Sequence, residues 1–517
     1  MTSEHGPDLG EPDPTVAANS DSETRRLAEL LQAHFAGTVG GEPTAPSEGR
    51  QPQPPAMPRA AAPQGPRATR RGTRTAPYSW VPAPAEVRPP IPTEPGEPLL
   101  SGVITVTVTA LTPTFIRSGR VDPDPFPDRP RDRWPASWDD WSRGLRGVQD
   151  FAHHGDPEEP VLPGSEIRGL LRTLVSILGS GALITLSAKG RNSGPQPPDD
   201  ITRALFGDVI VTDRAAVGGA DGGPEEVGNQ DAAADPDEPS IRPGRVVCED
   251  LAAVPGFHFQ PYCTTKSVLG GPKPGHAQHY TDGSGVRGFK LYPHNPGRWQ
   301  GELVPLGDGR PPANDRELLA RVGSEWDRPK QDDRARGWLR QRSVLHPVAA
   351  GARFRGRLRF SDLAAEEVGI LLLALSLDPS MRHKLGMARS LGLGSVRIEI
   401  DQLVTIDPDE RRRNPFDAGG GGFSSTEVET GPDQWRAWMG AFMAAHLRWS
   451  EVTPPTDVIT AFWDQLRMRE LVAILRWDTL IPPACLETMP LNDPRWRSPT
   501  PLPPASAYNA ERIGNPE

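Results

Sequence analysis

Val161-Leu162-Pro163-Gly164-Ser165-Glu166-Ile167-Arg168-Gly169-Leu170-Leu171-Arg172 is the stretch from which the fold of this 517-residue chain is read. Pro163-Gly164 is turn chemistry, and Ser165 stands where a helix N-cap is expected. Ile167, Leu170, Leu171, Leu174, Val175 and Leu178 recur at the helical period and predict an amphipathic helix. A capping box would place Glu or Gln three residues after Ser165, but Arg168 is there. Arg168 and Arg172 then lie one turn apart, beside free N–H groups and the positive end of the helix dipole. This start is either an ordinary capped core helix or an anion site, with phosphate the favoured anion.

Working outward, Ser101 to Ala110 alternates β-branched with small or polar residues and predicts a strand before the helix. A short strand candidate surrounds Val209-Ile210-Val211, and Gly244 to Asp250 reads as another. Ala352 to Phe360 alternates again, and Ser361-Asp362 is expected to cap a helix with Val368 to Leu377 as its buried body. Val396 to Ile400 closes the series. Strand, helix, strand, strand, helix, strand is the βαββαβ order of a ferredoxin-like fold, α+β in class, here stretched by long insertions. Two helices are expected beyond it. One carries Trp435, Trp438, Met439, Phe442 and Met443, and the other runs from near Asp457 to near Arg476.

Composition sets the outer limits. Residues 1–75 are Pro-, Gly-, Ala- and Ser-rich and read as disordered, with arginines and no acid between Glu48 and Glu86. One short amphipathic helix is expected within them, from Ser20 to Phe35. The domain expectation is therefore 1–75 disordered, 76–405 the βαββαβ domain with insertions, and 406–517 a helical extension with a Pro-rich tail. The net charge of −10 excludes a global basic field, so any nucleic-acid surface has to be local. Three scattered cysteines argue against a disulfide framework. With no signal peptide and no apolar run of spanning length, the expectation is a soluble cytoplasmic protein without a membrane partner.

Two local signals bear on chemistry. The glycine loop Gly386 to Gly394 follows a helix and opens a strand, which is the wrong context for a dinucleotide fingerprint. Flanked by Lys384 and Arg389, it suits phosphate contact without base reading, or simply a tight connection. The window 255–300 holds Lys266, Lys273, Arg287, Lys290 and Arg298 against one acid, Asp282, with seven aromatic residues interleaved. Cations with aromatic faces bind single strands without sequence preference, and a solvated hairpin is the alternative. His276 and His279 with Cys263 lack the second half of a zinc site, so no metal ligand is assigned. Asp122 and Asp124 lie in the long acidic loop before the helix, where carboxylates could position Mg²⁺ for phosphodiester cleavage.

LPGSEIRGLLR, GRVVCED and HKLGMARSLGLGSVRIEI resemble the hallmarks of the RAMP superfamily of CRISPR-associated proteins. APYSWVP, GVRGFKLYPH and the Leu-Pro tail resemble a long RAMP family found with type III CRISPR loci, in consistent order over residues 76–505. The resemblance implies a modified ferredoxin-like (RRM-like) core that binds guide RNA within a multisubunit effector complex. It implies that the glycine loop and the first-helix N-terminus grip RNA, carrying over to Ser165, Arg168, Lys384, Gly392, Gly394 and Ser395. It also implies a thumb hairpin, for which Lys266 to Lys290 is the candidate.

The expected RNA-binding set is Ser165, Arg168, Arg172, Lys266, Arg287, Lys290, Lys384, Arg389, Gly392, Gly394 and Ser395. Some related subunits cleave target RNA with an Asp in the first βα loop, which is longer here. The function expected is a guide-RNA-binding structural subunit, with guide RNA, target RNA and other effector subunits as partners and no certain cofactor. The alternatives are a metal-dependent endoribonuclease using Mg²⁺, with Asp122 or Asp124, and an accessory docking subunit that binds no RNA.

Overall fold

A computed structural model describes residues 75–92, 96, 98–118, 148–149, 151–154, 156, 158–183, 199–210, 240–266, 287–307, 321, 344–406, 427–452, 457–487 and 502–507. Asp122, Asp124, the expected helix at 20–35 and thumb residues 267–286 lie outside that set. Strands in the first half of the chain are β1 (Ser79–Pro82), β2 (Leu100–Ala110), β3 (Val148–Gln149), β4 (Val161–Leu162), β5 (Asp208–Ile210), β6 (Ser240–Arg242), β7 (Val246–Cys248) and β8 (Leu251–Ala253). The second half adds β9 (Cys263–Thr265), β10 (Gly288–Leu291), β11 (Leu303–Pro305), β12 (Val344–Leu345), β13 (Arg353–Leu363), β14 (His383–Lys384), β15 (Ser395–Ile406) and β16 (Glu427–Glu429). The helices are α1 (Gly164–Leu178), α2 (Ile201–Phe206), α3 (Arg298–Glu302), α4 (Ala365–Ser376), α5 (Pro432–Trp449), α6 (Val458–Trp463) and α7 (Leu466–Leu475).

The architecture is mixed α/β, built on an eight-stranded sheet in the order β14-β15-β2-β13-β8-β4, with β16 on β15 and β7 on β13. Every pairing in it is antiparallel. Alternation decides which face is buried: Ile104, Val106 and Val108 point inward from β2, and Phe354, Leu358 and Phe360 from β13. Against that face pack α1 and α4. One hydrophobic cluster runs through sheet, helices and the Trp435–Leu475 region. Arg467 of α7 ties that last region to the core, donating to Ile177 O at 2.7 Å and Ser180 Oγ at 2.6 Å. A cation at the carbonyl end of α1 is favoured by its dipole.

Several expectations change. Ser165 is not the N-cap of α1; Pro163 is, without a side-chain bond, and Ser165 is exposed. Ser361 and Asp362 do not cap α4, because β13 continues to Leu363 and Glu367 accepts the Ala364 N–H at 3.0 Å instead. Ile201–Phe206 is helical where only a strand was expected nearby. The helix expected from Asp457 to Arg476 is two, α6 and α7, although Asp457 does cap the first by accepting from Ile459 and Thr460 N–H groups. Among the described residues no helix is long and apolar enough to cross a membrane.

Candidate functional site

The start of α1 already holds a carboxylate. The Gly164 N–H donates to Asp250 Oδ1 at 2.6 Å, and His154 Nε2 lies 2.9 Å from the other oxygen. One residue into the first turn past Ser165, Glu166 Oε1 accepts the Gly386 N–H at 2.8 Å. The helix start and the glycine loop, 220 residues apart, are thus joined by a direct bond.

Around that bond opens a cleft of about 290 Å³. Glu166, Gly169, Leu170 and Thr173 of α1 form one wall, Lys290 and Tyr292 a second, and Lys384 and Arg389 a third. Lys290 Nζ sits 3.8 Å from the Tyr78 ring centroid and 5.5 Å from that of Tyr292, over which the Arg389 guanidinium also lies, at 5.0 Å. Pairing of β1 with β10 brings Tyr78 here, since Ser79 lies opposite Leu291. Burial, and then the Arg389 cation, pulls the Lys290 ammonium down to about 8.

Lys384 is 5% exposed and donates to Ser395 Oγ at 3.0 Å. Burial first and Arg389 second bring its pKa to about 7. Ser395 is fully buried, and its Oγ is also 2.9 Å from His294 Nδ1. The other ring nitrogen of His294, Nε2, lies 3.0 Å from the Arg382 carbonyl. A carbonyl only accepts, so Nε2 carries the proton, Nδ1 accepts from the Ser395 hydroxyl, and Ser395 in turn accepts from Lys384. Burial and the Lys384 cation hold His294 well below the ordinary histidine value, in keeping with that neutral ring. His383 is neutral as well, pulled to about 4 by burial, with Nε2 donating to Ala374 O at 2.9 Å.

The loop glycines serve the backbone. Gly392 and Gly394 have φ of +95° and +75°, where a side chain is strained. A Cβ on Gly392 would stand 2.5 Å from Asn295 O, and one on Gly394 would run into Leu385 O. Arg168 and Arg172 do not line the cleft. Arg168 donates to Phe206 O and lies 6.0 Å from the Phe206 ring centroid. Arg172, its pKa lowered chiefly by burial, faces Asp208 at 3.9 Å. Lys266 is exposed and Arg287 half-buried, at the two ends of segment 267–286.

Of the expected set, the structure therefore gathers Lys290, Lys384 and Arg389 at one cleft, with Ser395 behind Lys384. Glu166, Tyr78 and His294 were not singled out from sequence. Tyr78 and His294 fall inside APYSWVP and GVRGFKLYPH, which is the one signal that pointed to them. Cys263, considered for zinc, is buried with its thiol donating to Leu345 O and its pKa pushed up to about 12 by burial. His276 and His279 lie outside the described residues. Among those residues no group of three or more His, Cys, Asp or Glu is placed to hold a metal ion.

No family model matches the chain, and no curated protein matches it. Among solved structures it is similar to Csc2 of Thermofilum pendens, at 12% identity and a TM-score of 0.24, over 69% of this chain and 90% of that one.

Proposed function

We propose that the chain is a guide-RNA-binding structural subunit of a type III CRISPR effector complex, partnered by guide RNA, target RNA and neighbouring subunits in antiviral defence. The observation that carries this reading is the cleft at the Glu166–Gly386 bond. Its walls come from LPGSEIRGLLR, GVRGFKLYPH and HKLGMARSLGLGSVRIEI, the motifs that resemble the RAMP superfamily. On the same reading, β15-β2-β13-β7 are the fourth, first, third and second strands of a ferredoxin-like core, with α1 and α4 as its crossovers.

The chemistry follows from the side chains present. Lys290, Lys384 and Arg389 offer cations to backbone phosphates, and the Tyr292 ring on the cleft wall offers a face to a base. Glu166, the carboxylate on the wall, is held by the Gly386 N–H and is outnumbered by the three cations across the cleft. Binding of this kind is blind to sequence and sensitive to salt. Ser165, exposed at the entrance of α1, and Lys266 and Arg287, flanking 267–286, extend the same track. Arg168 acts on it through the end of α2 and Arg172 through the start of β5.

The test is binding of labelled guide RNA to the full-length chain and to a Lys290→Ala/Arg389→Ala variant. The expected result is affinity about tenfold weaker for every sequence tried, with a shallower salt dependence. Equal retention by both proteins, or a loss confined to one sequence, overturns the reading.

A further inference from the structure

The sheet face turned away from the core carries a second concentration of cations. Arg353, Arg355, Arg357 and Arg359 all stand on it, because β13 alternates strictly and buries Phe354, Leu358 and Phe360 on the other side. Register adds a fifth. Arg353 lies opposite Thr109 on β2, and Thr109 lies opposite Arg397 on β15.

Carboxylates are present but less exposed. Asp401 is 3.1 Å from Arg355, Glu249 is 3.0 Å from Arg357 and 2.5 Å from Arg359, and Glu399 is 3.1 Å from Arg397. The side chains of Arg355, Arg357, Arg359 and Arg397 are 61, 46, 56 and 47% exposed, against 27, 26 and 38% for Asp401, Glu249 and Glu399. The arginine side chains are thus more open to solvent than the carboxylates they pair with. A carboxylate occupies at most part of the five-donor fork, leaving N–H groups turned outward. Arg353 makes no ion pair among the described residues. Along the ladder itself five arginines stand over three carboxylates, a local excess of positive charge on a chain whose net charge is −10. Two more carboxylates of this face, Asp362 beside Ser101 and Glu429 opposite Val404, lie toward its Arg359 end.

The rest of the face narrows the class of partner. Between the arginines lie Thr105 and Thr109, and Val247 at one end is the exposed apolar side chain. Protein interfaces are anchored by aromatic and large aliphatic groups, and this ladder has no aromatic residue. Same-face neighbours along a strand repeat every ~6.8 Å. That interval is close to the spacing of successive phosphates in an extended single strand.

We propose that this open sheet face is a second nucleic-acid track, with the ladder Arg353, Arg355, Arg357 and Arg359 holding the sugar-phosphate backbone of an extended single strand. None of these arginines lines the cleft. The track therefore binds independently of the cleft, without base stacking and without sequence preference.

The probe is a fluorescein-labelled single-stranded RNA of mixed sequence, read by anisotropy over a salt series with the full-length chain. Arg353→Gln/Arg355→Gln/Arg357→Gln is placed both in the native sequence and in the Lys290→Ala/Arg389→Ala background. In that background the residual binding should fall about tenfold, and the slope of log K against log salt should flatten by about 2 for three lost contacts. Arg353→Gln alone breaks no ion pair and so does not endanger folding; it should flatten the slope by about 0.7. The corresponding triple lysine variant should retain the native slope. Unchanged affinity and slope in the glutamine variants overturn the proposal. So does a triple variant that sediments as a smaller species while binding RNA normally, which would give the face to a second copy of the chain. Neither outcome depends on whether the cleft binds RNA.

Discussion

Replacing Lys384 by Met should make the protein more stable and a poorer binder of RNA. Lys384 is held in a site that brings its pKa from the ordinary 10.5 to about 7. The folded state therefore binds this proton less tightly than the unfolded chain does, and the charge opposes folding wherever the unfolded lysine is protonated. From these two values the opposition is at most about 4 kcal/mol at neutral pH. It is fully present below pH 7, shrinks as pH rises through the window between the two values, and vanishes above 10.5. Methionine nearly matches the volume and carries no charge, while Ser395 keeps its donation to His294. Urea melts of both proteins at about pH 6 and about pH 9 should show the variant ahead by several kcal/mol at the lower value and by much less at the higher. RNA anisotropy on the same samples should show weaker binding, since one of the three cleft cations is gone. A variant less stable than the native chain at neutral pH, or a difference that ignores pH, would refute the view of Lys384 as a desolvated cation kept for its ligand.

Two further outcomes follow from the same cleft. Glu166→Gln keeps an acceptor for the Gly386 N–H but removes the carboxylate, so it should cost about 1 kcal/mol in denaturant melts while RNA binding tightens. Gly394→Ala forces a side chain into a left-handed conformation against Leu385 O, and should lower stability by at least ~1–3 kcal/mol with RNA affinity falling in step.

Much of the fold was legible because period-2 alternation is a local signal. Ile104, Val106 and Val108, and Phe354, Leu358 and Phe360, announce both a strand and its buried face. Where local pattern and structure differ, the deciding group comes from far along the chain. Ser361-Asp362 looks like a cap, yet β13 runs on through both residues to Leu363. Arg245, on the loop before β7, donates to both oxygens of Glu367, which in turn takes the Ala364 N–H and sets the start of α4 there. Nothing near residue 464 breaks a helix by composition either. Gln465 leaves the helical conformation as Arg467 engages Pro82, Ser180 and Ile177, on elements nearly three hundred residues earlier or more.

The site was legible as a meeting of loops and illegible as a set of facing side chains. Each residue of an α-helix advances about 100°, so positions 166, 170 and 173 share one side of α1, while 168 and 172 lie well round from it. Reading charge alone, the arginines are the natural partners of a phosphate cradle. The helical period sends them instead to Phe206 and Asp208, and offers the glycine loop a carboxylate, a glycine and a threonine. A carboxylate is an unfavourable wall for an anion, and the Gly386 N–H takes up one of its oxygens without removing its charge. The cations of the cleft then have to come from outside α1, and they do: Lys290 from β10, Lys384 from β14 and Arg389 from the loop behind it. Sequence spacing can place residues on one helix face, but it cannot say which face a loop 220 residues away will choose.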